Sequence, residues 1–336
     1  MITEGNMKSR LSGSRAPIAI FVIILAAPWS ILAETKTTAT EPKAFDTPQQ
    51  AAEALIKAAG AYDVSELMAI FGPNGKDLVA SADPVADKNN AVAFAEEARD
   101  KNSISIDPAK PNRATIIVGE EEWPMPVPMI KKNGKWYFDA KSGQQEILFR
   151  RIGANELDAI QVCRGYVEAQ KEYALQIHDN SGVNQYAQRI FSTPGKQDGL
   201  YWKNPDGTPG GPISETVAKA LEEGYSIGTP GFHGYYFKIL KGQGPAARLG
   251  RLDYVIEGIM IGGFALVAVP AQYRVTGVKT FIVSNYGIVY QKDLGPDSLK
   301  IVQDMVLYNP NPTWSPTNDQ WPASVAEPVA AEAGHM

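Results

Sequence analysis

The sequence predicts an α+β protein built from two successive units, each with helices first and an antiparallel sheet after them. Three observations carry this reading. Apolar residues recur at helical spacing between residues 48 and 100, and again between 155 and 177. Each helical stretch gives way to short β-branched or aromatic runs punctuated by Gly, Asn and Pro, at 114–139 and 234–291. Helices followed by strands, rather than strictly alternating with them, separate α+β from parallel α/β architectures.

The first unit opens at Phe45. Thr47 or Asp46 caps a helix with Pro48 in its first turn, and Ala51, Ala52, Leu55, Ile56 and Ala59 form its stripe. A second helix covers Val64 to Ile70, and Gly72-Pro73-Asn74-Gly75 ends it. A third is expected over Asn89 to Asp100. Ala114 to Val118 reads as a strand. The prolines of Trp123-Pro124-Met125-Pro126-Val127-Pro128-Met129 hold the chain extended, because each fixes φ and removes a donor. Asn133-Gly134 between two apolar-containing runs predicts a hairpin at Met129 to Asp139.

The second unit starts with a helix over 155–177, capped by Asn155, with Leu157, Ile160, Val167, Ala174 and Ile177 on one stripe. A glycine- and proline-rich connection, 192–212, follows, and then a short helix at Glu215 to Glu223. The remainder reads as an antiparallel meander: Gly234 to Leu240, Phe264 to Val269, Lys279 to Ser284 and Gly287 to Gln291, the last two joined at Ser284-Asn285-Tyr286-Gly287.

Before these units stands an export signal. Lys8, Arg10 and Arg15 form a positive n-region, Ile18 to Ala27 an apolar h-region, and Ile31-Leu32-Ala33 a cleavage site ahead of Glu34. Met7 would give a more ordinary start than Met1. The apolar run is short for a membrane span and Pro28 interrupts it. The divisions expected are therefore a signal peptide at 1–33, a flexible leader at 34–44, an α+β domain at 45–153, a second at 154–308 and an extended tail at 309–336. The protein is expected to be periplasmic or secreted, with no stable membrane span after cleavage.

Bulk composition narrows the function. Hydrophobic residues at 44% and charged residues at 21% support packed cores, and a formal net charge of -5 speaks against nucleic acid as a partner. Catalytic and metal signatures are missing: there is no HExxH pair and no GxSxG elbow. No cofactor and no metal are expected. Cys163, the one cysteine, sits on an apolar-flanked helix, where a thiol behaves as a small hydrophobe. The acidic run Glu120-Glu121-Glu122 reads as solvated surface, and Asn204-Pro205-Asp206-Gly207 as a turn rather than a calcium loop. His178 follows a helix C-terminus, where it meets the dipole. His335 lies in the tail. His233, between Gly231 and Gly234, is the best polar site candidate.

The aromatic residues suggest more. The 192–212 connection is long for a compact domain, and such loops are functional or disordered. Tyr201-Trp202 is poor composition for disorder, and Phe232 to Phe237 is the nearest aromatic segment in sequence. Tyr201, Trp202, Phe232 and His233 are therefore the candidate ligand- or partner-binding residues.

Four segments together resemble a known family: WPMPVPMIKKNGKWYFD, RRIGANELDAIQVCRGYVEAQKEYA, HGYYFKIL and FALVAVPAQYRVTGVKTFIVSNYGIVYQKDLG. They are similar to the bacterial domain of unknown function 2950 family, over about Phe45 to Tyr308. The resemblance implies an exported protein of Gram-negative bacteria and transfers no activity and no site residues. At fold level the first unit resembles the nuclear-transport-factor-2-like or cystatin-like plan, and the second the pilin-like plan of helix plus meander.

The expected function is a non-catalytic binding or scaffolding module of the cell envelope, its partner an envelope protein or glycan. Two alternatives stand beside it: a hydrolase of an envelope polymer using His233 with Asp253 or Glu257, and a pilin-like assembly subunit. The export reading has a direct consequence. N-terminal sequencing of protein from envelope or medium fractions should give a chain beginning near Glu34, and a retained Met1 or Met7 would refute the cleaved signal.

Overall fold

The structure is a computed structural model and describes residues 41–80, 84–215, 217–219 and 231–318. The expected signal peptide, residues 34–40 of the leader and residues 319–336 of the tail lie outside these residues. The fold is α+β, with antiparallel sheets and helices segregated along the chain.

The first helices form where their caps place them. Thr47 caps α1 (Pro48–Ala61), its Oγ1 accepting from the Gln50 amide at 3.1 Å. Asp63 caps α2 (Val64–Phe71) in the same way through Glu66 N–H at 3.0 Å. Gly72, at φ 69°, ends α2, and a short α3 (Lys76–Val79) follows. Helix α4 (Pro84–Asp100) begins five residues before the expected Asn89. Strands β1 (Asn102–Ile106), β2 (Arg113–Val118), β3 (Trp123–Pro124), β4 (Met129–Lys132) and β5 (Lys135–Phe138) make one sheet, in the order β1-β2-β4-β5 with β3 also on β2. The β4–β5 turn puts Asn133 at φ 52° and Gly134 at φ 80°, the two positive φ values that a type I′ hairpin demands. Leu55, Ile70, Ile116, Met129 and Phe138 fill the core between α1, α2 and this sheet.

The largest departure from the sequence reading is α5 (Ala140–Tyr173), one helix of 34 residues and about 51 Å at 1.5 Å per residue. Asp139 caps it, accepting from Ser142 N–H at 3.1 Å and Ser142 O–H at 2.6 Å. The helix was expected to start at Asn155, and the boundary near Gly153 falls inside it. The physical reason is that residues 140–154 are mostly good helix formers (Ala, Lys, Gln, Glu, Leu and Arg), whose propensity carries the chain through two glycines, Gly143 and Gly153. Asn155 is therefore not a cap. Its amide donates to the Thr276 carbonyl at 2.8 Å instead.

The early end of α5 belongs to the first core, through Ala140, while Ala159 to Tyr173 belong to the second. That second core surrounds a five-stranded sheet, β9-β14-β15-β16-β17. Before it come β6 (Arg189–Phe191), β7 (Gly199–Lys203) and β8 (Pro209–Gly210). The 192–212 segment, expected as a connection, thus contains two strands: β7 runs parallel to β6 and antiparallel to β8. The short helix after it is described only as far as Lys219. Strand β9 (Tyr235–Leu240) leads into two small hairpins, β10 (Gly242–Gln243) with β11 (Leu252–Asp253) and β12 (Val255–Ile256) with β13 (Ile259–Met260). Then β14 (Ala265–Pro270), β15 (Lys279–Ser284) and β16 (Tyr290–Asp293) complete the expected meander.

Register divides that sheet's faces. Phe237, Ala268 and Phe281 lie abreast on one, with Lys238, Val267 and Ile282 on the other. Lys238 reaches the carbonyls of Val302 and Gln303 at 3.2 and 2.6 Å, at the C-terminal end of α6 (Ser298–Asp304). A cation there meets the negative end of the helix dipole. After Asn309 the described chain turns, Trp314 N–H donating to the Asn311 carbonyl at 2.9 Å, and then joins the sheet: β17 (Ser315–Pro316) pairs with β16, and Trp314 packs against the core.

The middle of α5 is tied to the sheet by polar contacts. Glu156 Oε1 accepts from both Val278 and Lys279 N–H, at 2.8 and 2.9 Å, beside the Asn155–Thr276 bond. Charge-assisted bonds to backbone donors are the strong class. Glu156→Ala should cost about 1.5–3 kcal/mol in denaturant unfolding, with Glu156→Gln recovering part of it.

Candidate functional site

The best polar candidate stands on a tight turn. Phe232 and Tyr235 exchange both backbone hydrogen bonds, at 2.9 and 3.0 Å, around His233 and Gly234. Both turn residues have positive φ, 47° and 72°, as in a type I′ turn. Histidine tolerates that region better than most side chains. Gly231 has no such latitude: a Cβ there would lie 2.7 Å from the Tyr235 carbonyl oxygen. The turn aims His233 at α5, where Nδ1 meets Asp158 Oδ2 at 2.8 Å. Phe232 stands edge-on to the imidazole at 4.2 Å between ring centroids.

This His–Asp pair lies at a cleft of about 340 Å³. One wall is a single stripe of α5, Asp158, Gln161, Val162, Gly165 and Tyr166, the i, i+3, i+4, i+7, i+8 face of a helix. Opposite stand Leu200 from β7, then Ile213, Val217 and Phe232. The size falls within the range of small-molecule sites, which are mostly apolar with a few placed polar groups.

Of the four residues singled out in the sequence, Phe232 and His233 line this cleft, while Tyr201 and Trp202 do not. Their neighbour Leu200 does, because alternation along β7 sends Tyr201 to the other side. Tyr201 is buried, edge-on to Phe191 at 5.3 Å, and its hydroxyl donates to Glu215 at 3.0 Å. Trp202 donates to Asn204 Oδ1 at 3.1 Å and stands edge-on to Tyr173 and His178. His178 is buried and stacked 3.9 Å from Tyr173, with Nε2 2.9 Å from the Tyr173 carbonyl at the end of α5. These contacts pack the protein. Trp136, Tyr235 and Tyr236 are likewise buried in the cores.

Eight of the ten described lining residues were not among the sequence candidates, and three of them bear on the polar end and the floor of the cleft. Asp158 is the carboxylate that meets His233, where Asp253 and Glu257 had been considered. Asp253 lies on β11, and Glu257 in the β12–β13 turn at φ 51°. Gln161 and Gly165 were missed with it. The signal was available: they lie three and seven residues beyond Asp158 on one helical face.

The remaining chemistry is quiet. Cys163 is fully buried, and burial pushes its thiol up to about 12, so no thiolate forms near neutral pH. Asp206 accepts from Thr208 N–H and O–H at 2.9 and 2.6 Å, which makes the turn expected of Asn204 to Gly207. Glu120 and Glu122 are exposed beside Lys101 at 3.1 and 3.9 Å. Among the described residues no three metal-ligating side chains converge, and no helix is long and apolar enough to cross a membrane. His335 lies outside the described residues.

Fold and site together define an α+β protein with an apolar cleft gated at one end by a His–Asp pair. The chain belongs to the family described as protein of unknown function (DUF2950), which it matches over residues 42–317. No curated protein and no solved structure matches it.

The Tyr201 side of β7 carries a pH-dependent clamp. Lys219 at 2.9 Å, the Tyr201 hydroxyl at 3.0 Å and Lys203 at 3.4 Å hold the Glu215 carboxyl well below the usual range, to about 2. A lowered folded-state pKa contributes its stability in full above the unfolded value of about 4.3, and loses it as pH falls from there. Thermal unfolding of Glu215→Gln should therefore show a shallower loss than wild type between roughly pH 4.3 and 2; parallel acid limbs would show that the clamp does not act in folding.

Proposed function

We propose that the protein is a non-catalytic binding module of the bacterial cell envelope, and that the cleft at His233 and Asp158 is where it takes its partner. The observation that supports this is the composition of the cleft. Val162, Leu200, Ile213, Val217 and Phe232 offer apolar surface, and the polar groups gather at Asp158, Gln161 and His233. Burial of a partner's apolar group there contributes about 25 cal/mol per Å² removed from water.

Hydrolysis is the weaker reading. A His–Asp pair resembles the base and orienting acid of a hydrolytic triad. Among the described residues that line it there is no Ser, Thr, Cys or Lys to serve as nucleophile. The envelope location rests on the signal-peptide pattern, and the scaffold role on the absence of a catalytic signature in the sequence.

The test is equilibrium binding of the fluorescent amphipath 8-anilinonaphthalene-1-sulfonate to the mature protein. Phe232→Ala and His233→Asn should each weaken binding severalfold with the fold intact, since Asn suits a type I′ turn. Trp202→Ala should do the reverse. It should lower stability, toward the low end of the roughly 3–5 kcal/mol for Trp truncation because the ring is half-buried, and leave affinity unchanged while folded. Unchanged binding in both Phe232→Ala and His233→Asn would remove the cleft from consideration.

A further inference from the structure

Gly165 sits in the interior of α5, eight residues before its end, where a glycine disfavours the helix relative to alanine. Of the other two glycines of this helix, one is explained by close packing and one, Gly153, is as open as Gly165 but lies away from the cleft. Gly143, in the first turn of the same helix, has Val127 only 2.6 Å from where a Cβ would lie. Gly165 has no such neighbour among the described residues: a Cβ would meet none of them within 4 Å. Yet Gly165 lines the cleft, between Val162 and Tyr166 and one helical turn beyond Gln161. The space that its missing side chain leaves open is cleft space.

Resting on the reading of the cleft as the binding site, we propose that Gly165 is a specificity-determining residue, its bare backbone forming the floor against which a single-headed amphipath lays its apolar body. The head lies at the other end of the stripe. His233 Nδ1 is held by Asp158, and among the described residues no group hydrogen-bonds Nε2. With Nδ1 donating to the carboxylate, Nε2 accepts from a hydroxyl head when the ring is neutral and donates to a carboxylate head when it is protonated. Gln161, exposed on the same stripe, supplies a second amide partner.

The same lining argues against a sugar. A saccharide carries hydroxyls around its whole ring, and each buried without a partner is penalised. Five apolar side chains and one bare helix turn offer such a ring few partners. An acyl or aryl compound with one polar end matches the distribution.

The experiment uses the mature protein with 8-anilinonaphthalene-1-sulfonate as reporter, and dodecanoate, dodecan-1-ol and maltotriose as competitors. Gly165→Leu should abolish reporter binding, and Gly165→Ala should weaken it severalfold while raising the unfolding midpoint by roughly 2–4 °C. Gly153→Ala is the control, since Gly153 also lies in α5 with nothing within 4 Å of a Cβ but does not line the cleft. It should raise the midpoint and leave binding as in wild type. Dodecanoate or dodecan-1-ol should displace the reporter, the two arms distinguishing the heads, and maltotriose should not. Wild-type affinity in Gly165→Leu, with binding still lost in His233→Asn, overturns the floor and keeps the cleft. Displacement by maltotriose alone overturns the ligand class. Wild-type affinity in both variants overturns the cleft itself.

Discussion

Helix α5 is the element on which the rest of the molecule depends. Its first turn closes the first core through Ala140 and packs Gly143 against Val127, and its last four turns supply Ala159 to Tyr173 to the second core. Between these ends, where Ile152 is buried, polar bonds do most of the holding. Asn155 and Glu156 fasten it to the Thr276–Lys279 segment, and Asp158 fastens it to His233. A helix has a fixed rise and rotation per residue. Once residues 155 and 156 are anchored, the stripe from 158 to 166 can face only one way. The cleft is thus a consequence of helix phase, with its polar end set beside the anchor.

The His–Asp pair itself contributes little to stability. Both side chains are about half exposed, at 47% and 46%, and exposed ion pairs are worth at most about 1 kcal/mol. Its partly exposed, positive-φ histidine is a poor device for holding a fold together. A glycine left bare in mid-helix is another concession of the same kind. Both departures border the cleft proposed as the binding site, and functional positions are where local rules yield, although Gly153, equally bare, lies away from it.

Much of the fold was legible in the sequence. Thr47, Pro48 and Asn133-Gly134 carry their own geometry, and the four main strands of the second sheet are bounded by residues with fixed backbone preferences. What was hidden had a physical cause in each case. Strand β1 has only Ile104 and Ile106 as apolar residues and is mostly exposed, so burial left no alternation to read. Strand β7 was masked by the surrounding Gly and Pro, although Gly199 is glycine because a Cβ there would lie 2.5 Å from the Ser192 amide nitrogen. Two of the ten described lining residues of the cleft were visible, because His233 and Phe232 stand between conspicuous glycines. Asp158 was invisible as a partner because 75 residues separate it from His233. Only the antiparallel course of the sheet brings the turn before β9 onto the helix.

The second sheet ends at β17, and that strand is two residues long with a proline as its second member. Proline has no amide hydrogen, so this margin offers an incoming strand almost no ladder to extend. Polymerisation by strand addition, as in a fibre of identical subunits, finds no template there. Any such growth would have to recruit the opposite margin, at β9, next to the turn that carries His233. The pairing of β17 with β16 thus closes one margin of that sheet.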